Sequence, residues 1–302
     1  MDCKRCDSRE TVHPECRPIS IPPDDPFFSQ LPNGGQLPRC LHFVRSMNAQ
    51  GTLGPREQMN QLTSYVDGSN IYGNENCEAE RLRFRVMGKL NFTRHPVRGM
   101  KDLLPQTASH PECKAPSGFC FVSGDLRASE QPALAALHTV FLREHNRIAE
   151  QLSVVNNHWT DERLFQTTRK IMGAIIQQIT YGEFFPRLMG MQLMDRFEMS
   201  LKSTGYFEGY DPDCSGTFKN EISAAVLRLG HTLLQPAFQR LDANYKMAKR
   251  PLHLREAFFN SDMLYERKLC FYFSKVLHLN VFVSLCNRRT SAWHNYAKHS
   301  DV

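Results

Sequence analysis

The sequence predicts a mainly α-helical chain, and three stretches carry that prediction. From Pro132, Leu134, Leu137, Phe141, Ile148 and Leu152 recur at helical steps. From Thr160, Leu164, Thr168, Ile171, Ile175 and Ile179 repeat the pattern. From Asn220 to Pro236, Ile222, Val226, Leu229 and Leu233 form a third stripe.

Residues 1–58 are rich in Pro, Gly and Cys and lack helical periodicity. Ile21-Pro-Pro-Asp-Asp-Pro26 and Pro32-Asn-Gly-Gly35 are turn chemistry. The spacing therefore predicts an irregular segment tied by disulfides, with Cys16–Cys40 as one expected bridge. A metal knuckle of Cys3, Cys6, His13 and Cys16 is the competing reading, although that spacing matches zinc patterns poorly.

Thr63, Tyr65, Asp67 and Ser69 stand at every second position, so an extended loop would point them one way. Hydroxyls, a carboxylate and nearby carbonyls are hard oxygen ligands that suit Ca²⁺, though one carboxylate is few and another acid would have to join. The alternative is an ordinary polar loop. Beyond it, a short helix is expected around Glu78–Met87, and Cys113 and Cys120 bracket a small loop.

Pro132 suits the first turn of the long helix, and His145 falls on its apolar stripe, as a satisfied core histidine would. Thr160 is a fair N-cap, with Asp161 and Glu162 in the first turn and Pro186 as a limit. In the third stretch, Ala224, Leu227 and Leu234 lie opposite the main stripe, on the side that carries His231. A helix apolar on both sides should be buried. His231 would then need a partner on each nitrogen, met by a metal on one and an acceptor on the other.

Composition narrows the function. Among 302 residues the net charge is +6, and no basic run with interleaved aromatics points to nucleic acid. The 10 cysteines are an even count that suits an oxidising compartment. Asn91-Phe92-Thr93 is a glycosylation sequon. The opening Met-Asp-Cys-Lys-Arg holds no apolar leader, so an upstream portion is expected to be missing. From Phe271 to Leu285 apolar residues alternate with a period of two, interrupted for any membrane span by Lys275, His278 and Asn280.

The stretch Ser123-Gly-Asp-Leu-Arg-Ala-Ser-Glu-Gln-Pro132 places Arg127 and Glu130 three apart at the head of the long helix. Such a pair shares one face of a helical turn and can address one ligand as cation and carboxylate; a surface ion pair is the bland alternative.

Four motifs in order resemble the animal haem peroxidases, the family of myeloperoxidase and peroxidasin. They are Pro55–Gly73, Gly124-Asp-Leu-Arg-Ala-Ser-Glu130, Leu142-Arg-Glu-His-Asn-Arg147 and Arg228-Leu-Gly-His-Thr-Leu233, and the resemblance runs from about Cys6 to Glu266. It implies a helical single-domain fold around haem b, here incomplete. His231 would be the axial iron ligand, Arg127 the catalytic distal arginine and Glu130 the carboxylate that esterifies the haem. Gln131 replaces a methionine that bonds haem in myeloperoxidase, so that link is not expected. Thr63, Tyr65 (through its carbonyl), Asp67 and Ser69 would bind Ca²⁺. The implied activity is oxidation of a small donor (halide, phenol or tyrosine) by H₂O₂, in a secreted protein without nucleic-acid partners or a membrane span.

Two elements of the family pattern do not occur here. The Asp-His-Asp element with the distal histidine is not reproduced by His13 or His42, and Asn287-Arg-Arg289 does not replace the asparagine that partners the axial histidine. Impaired peroxidase activity is therefore expected, with a non-catalytic secreted binding or adhesion fragment as the alternative. The expected organisation is a Cys/Pro-rich part at 1–58, a helical core at 59–267 and a divergent tail at 268–302.

Overall fold

The structure is a computed structural model that describes Cys3, residues 12–26, Phe28, residues 40–241 and residues 246–265. The strand-patterned stretch from Phe271, together with Cys6 and Asn287, lies outside the described residues. The chain divides into two compact units, Met1–Gln61 and Leu62–Val302.

In the first unit, β1 (Ile19–Ser20) pairs antiparallel with β2 (Cys40–Leu41). Cys16 is bridged to Cys3, which overturns the expected Cys16–Cys40 pairing. The tight His13–Cys16 turn, closed by Cys16 N–H on His13 O at 2.8 Å, is what aims Cys16 at Cys3. The same bridge takes two thiolates from the competing metal knuckle.

The second unit is mainly helical. It opens with α1 (Ser69–Tyr72) and α2 (Asn76–Arg81), the latter shorter than the helix expected around Glu78–Met87. Arg85 and Met87 adopt left-handed backbone (φ 61° and 57°), which no α-helix continues through. The pair β3 (Gln106–Thr107) and β4 (Cys120–Phe121) follows, and Cys113–Cys120 closes the loop between them.

The long helix α3 (Pro132–Val155) matches its prediction, with Pro at its first turn and Gln131 as its N-cap. Its deepest face is displaced from the predicted stripe. Ala135, Ala136, His138, Thr139, Leu142, His145 and Ala149 are buried, whereas Leu134, Leu137 and Phe141 are only half-buried. Small side chains let neighbouring backbone approach, and the larger ones close the flanks of the contact. Helix α4 (Asp161–Ile179) is capped by Thr160, whose hydroxyl accepts from Arg163 N–H. It ends at Ile179, but the helical path runs on past Pro186. A π-turn at Thr180–Phe184 carries the chain into α5 (Phe185–Met189), where Pro186 occupies a first-turn position that needs no N–H. Helix α6 (Met191–Arg196) follows.

The core lies between α3, α4 and the loops around α1, with Tyr72, Phe121, Phe165 and Met172 fully buried. Arg83 braces it. It donates to Asp161 at 2.5 Å and to Glu162, and its guanidinium stacks 4.4 Å from the Phe165 ring.

The third stretch departs most from expectation. It forms only α7 (Asn220–Ala224) and a 3₁₀ segment at Val226–Leu233, and no residue of either is buried. Isolated helices this short are marginal without packing on an apolar face. Among the described residues nothing covers Val226, Leu227, Leu229, Leu233 or Leu234. The following hairpin of β5 (Ala237–Leu241) and β6 (Met247–His253) was not foreseen. Phe238 and Leu252 face each other across it and join the core.

Candidate functional site

The site is built on the turn that leads into α3. Gly124 brings that turn against α1; a side chain there would meet Gly73 N at 2.2 Å and Ser69 O at 2.3 Å, so only glycine fits. Asp125 then caps a 3₁₀ turn at Leu126–Ser129, accepting from Arg127 N–H at 2.8 Å. The same carboxylate grips the Arg127 guanidinium, Nε to Oδ1 at 3.0 Å and Nη2 to Oδ2 at 2.6 Å. Arg127 stays exposed while Asp125 is half-buried.

Electrostatics follow from that grip. Burial alone would raise the Asp125 carboxyl, but the Arg127 hydrogen bonds outweigh it and hold it below the usual carboxylate range. Those bonds in turn raise Arg127, helped by the charges of Asp125 and Glu130.

Glu130 ends the turn, half-buried, with its backbone N–H on Arg127 O at 2.8 Å. Its carbonyl accepts from Phe259 N–H at 2.9 Å, and its carboxylate makes no hydrogen bond among the described residues. Arg127 and Glu130 are thus brought together as expected, but the partner of Arg127 is Asp125. Gln131 Oε1 accepts from Ala133 N–H at 2.7 Å, so this residue serves as a helix cap.

The predicted Ca²⁺ loop is not uniformly extended. Gly68 is left-handed at φ 79° and Ser69 already belongs to α1. Asp67 Oδ1 accepts from Ser69 N–H at 3.0 Å, and Thr63 Oγ1 accepts from Tyr65 N–H at 3.1 Å. Among the described residues, no three of His, Cys, Asp and Glu gather closely enough to hold a metal.

His231 is exposed, which overturns the expected burial of its helix. Its imidazole makes no hydrogen bond among the described residues. A water-sized pocket of about 10 Å³ bounded by Leu82, Leu104, Ser123 and Leu142 lies within the second unit, and none of Arg127, Glu130 and His231 lines it.

His138 is the residue that sequence reasoning missed. It is buried on α3, with Nδ1 3.0 Å from Ser123 Oγ. Burial holds its pKa below the ordinary histidine value. The signal was its seven-residue spacing from the buried His145, which puts both on one face.

Fold and site together define a mainly helical domain that presents a clamped guanidinium and a carboxylate without a hydrogen bond among the described residues at the head of its longest helix. The family model described as Animal haem peroxidase matches residues 1–282, past Glu266 and into the strand-patterned stretch. The chain is 38% identical over 278 residues to a peroxidasin homolog of Mus musculus, covering 86% of this chain and 18% of that protein. It is 36% identical to thyroid peroxidase of Canis lupus familiaris, covering 87% of this chain and 29% of that protein. Among solved structures, peroxidase A from Dictyostelium discoideum superposes with a TM-score of 0.64 at 26% identity, covering 83% of this chain and 49% of that one. The chain belongs to the animal haem peroxidase family. It spans well under half the length of these two curated relatives.

The residues present fit a haem by their chemistry. His231 carries an imidazole with no hydrogen bond among the described residues, on an exposed segment that also presents Leu227, Leu229, Leu233 and Leu234, an apolar surface and a nitrogen donor of the kind a porphyrin takes. Arg127 and Glu130 offer an accessible cation and a free carboxylate.

Proposed function

We propose that this chain acts as a haem-dependent peroxidase that oxidises small donors (halide, phenol or tyrosine) with H₂O₂. The observation that carries this reading is the exposed Arg127 guanidinium, locked in two directions by Asp125, beside the unpaired Glu130 carboxylate. Haem b, when bound, would supply the iron chemistry that reduces peroxide. His231 would hold it through its imidazole and Glu130 through its carboxylate. Arg127 stabilises negative charge on the leaving peroxide oxygen; a fixed cation aimed there needs no reorganisation during reaction. Ca²⁺ would sit on Thr63, the Tyr65 carbonyl, Asp67 and Ser69, using the Asp67 oxygen that does not accept from Ser69.

Residues 59–267 carry this work. The Cys3–Cys16 and Cys113–Cys120 bridges support an extracellular setting. His138 is buried and hydrogen-bonded, so it is no solvent-facing base for Arg127 to work with. The exposure of His231 favours a second reading, a non-catalytic secreted binding fragment.

Haemin titration of the full chain separates the two. The peroxidase reading expects a Soret band that is lost in His231→Ala. It also expects guaiacol or bromide oxidation that is lost in Arg127→Ala while the band persists. No Soret band in the unaltered chain supports the binding fragment.

A further inference from the structure

We propose that His138 is a positioning residue for Arg127, acting through Ser123 and Asp125. The chain of contacts starts in the core. Ser123 Oγ lies 3.0 Å from the Asn70 carbonyl, and a carbonyl only accepts, so the single hydroxyl proton of Ser123 is spent there. Its second contact, to His138 Nδ1 at 3.0 Å, then requires the imidazole to donate. Ser123 is thus fixed from two sides, by α1 and by α3, and the imidazole also meets the Asn70 backbone directly.

Asp125 follows two residues later. Between them, Gly124 is pressed against Gly73 and Ser69 so closely that the backbone has one path. Fixing Ser123 thus fixes where the Asp125 carboxylate emerges, and Asp125 is the group that clamps the guanidinium. His138 is buried while Arg127 is exposed, and each lies within electrostatic reach of the other. A buried helix residue thereby orients a solvent-facing cation without touching it.

The proposal rests on reading Arg127 as the peroxide-facing cation, and the experiment reads the guanidinium itself. Failure to bind haem would defeat the peroxidase reading and leave this one standing. The probe is the Nε–H cross-peak of Arg127 in a ¹H–¹⁵N spectrum of the full chain, identified by its absence in Arg127→Lys. A clamped guanidinium gives a slowly exchanging peak. That peak is expected to vanish in His138→Leu and in Ser123→Ala, and to return in His138→Asn, which keeps an N–H donor at the same distance along the side chain. A merely structural role would not be rescued by asparagine. An Arg127 peak that survives in folded His138→Leu overturns the proposal. So does its loss in His138→Asn, or its absence from the unaltered chain. Should His138→Leu fail to fold, Ser123→Ala decides: an unchanged Arg127 peak there overturns it equally.

Discussion

The Tyr72 hydroxyl lies 2.7 Å from His145 Nδ1, and solvent reaches neither ring. His145 Nε2 is 2.9 Å from the Gly88 carbonyl, which can only accept. Nε2 therefore carries the proton, and Nδ1 accepts from Tyr72. One imidazole joins α1, the turn before Leu90 and α3, with both nitrogens satisfied. Phe165 packs edge-on against Tyr72 at 5.9 Å, sealing the group.

Removing the Tyr72 hydroxyl leaves a buried acceptor empty. Tyr72→Phe is expected to cost about 1–3 kcal/mol, read from the urea midpoint at neutral pH. The same core makes stability pH-dependent. Burial pushes His145 down from 6.5 to about 4, against weaker opposing help from Gly88. Between those values the unfolded chain binds the proton and the folded chain does not. The contribution is complete above pH 6.5, falls as pH drops through the window, and levels off below about pH 4. The total is on the order of 3 kcal/mol. His138, also lowered by burial, acts in the same direction. Urea midpoints across this window should fall less steeply in His145→Phe than in the unaltered chain.

Much of this architecture was legible in the sequence because local chemistry and packing agreed. Pro132, the Thr160 cap and the acids after it set two helix starts that the structure keeps. His145 read correctly as a core residue because an apolar stripe surrounds it. The Arg127–Glu130 juxtaposition was visible in their spacing. The Asp125 clamp was not, since a carboxylate two residues before an arginine is not a helical neighbour. It becomes one only when a 3₁₀ turn bends the backbone over it. The 220–236 stretch misled because a two-sided apolar pattern states what a segment needs, not what is present to cover it. His138 was hidden for a related reason: most of its neighbours on the buried face are small, Ala135, Ala136 and Thr139, and only Leu142 marks that face with a large apolar side chain.

The Cys113–Cys120 loop steadies Glu130 through one intermediary. Phe259, in left-handed backbone at φ 54°, donates its N–H to Glu130 O at 2.9 Å. Its carbonyl accepts from Lys114 N–H, inside the disulfide loop, also at 2.9 Å. Ser117 further donates to Asp262 at 2.8 Å. Opening the loop should slacken this bridge. A Cys113→Ser/Cys120→Ser double variant is expected to lose about 2 kcal/mol of stability. Hydrogen exchange at the Phe259 amide should accelerate more than at amides in the middle of α4. Equal acceleration everywhere would mean that the loop contributes only to global stability.

The exposed apolar residues around His231 give the last prediction. Val226, Leu227, Leu229, Leu233 and Leu234 are each at least 43% exposed, on both sides of one short helical segment. Scattered exposed leucines are ordinary, but a contiguous group of this kind marks a surface that something covers. A dye such as ANS should therefore bind the unliganded chain. If a porphyrin is the natural cover, haemin should displace the dye in step with growth of the Soret band. Leu229→Ser/Leu233→Ser should weaken both dye and haemin binding, because the apolar contact is shared. His231→Ala should weaken haemin alone, because the dye has no use for the imidazole. Haemin that binds without displacing the dye would place the porphyrin elsewhere and remove His231 from the axial role.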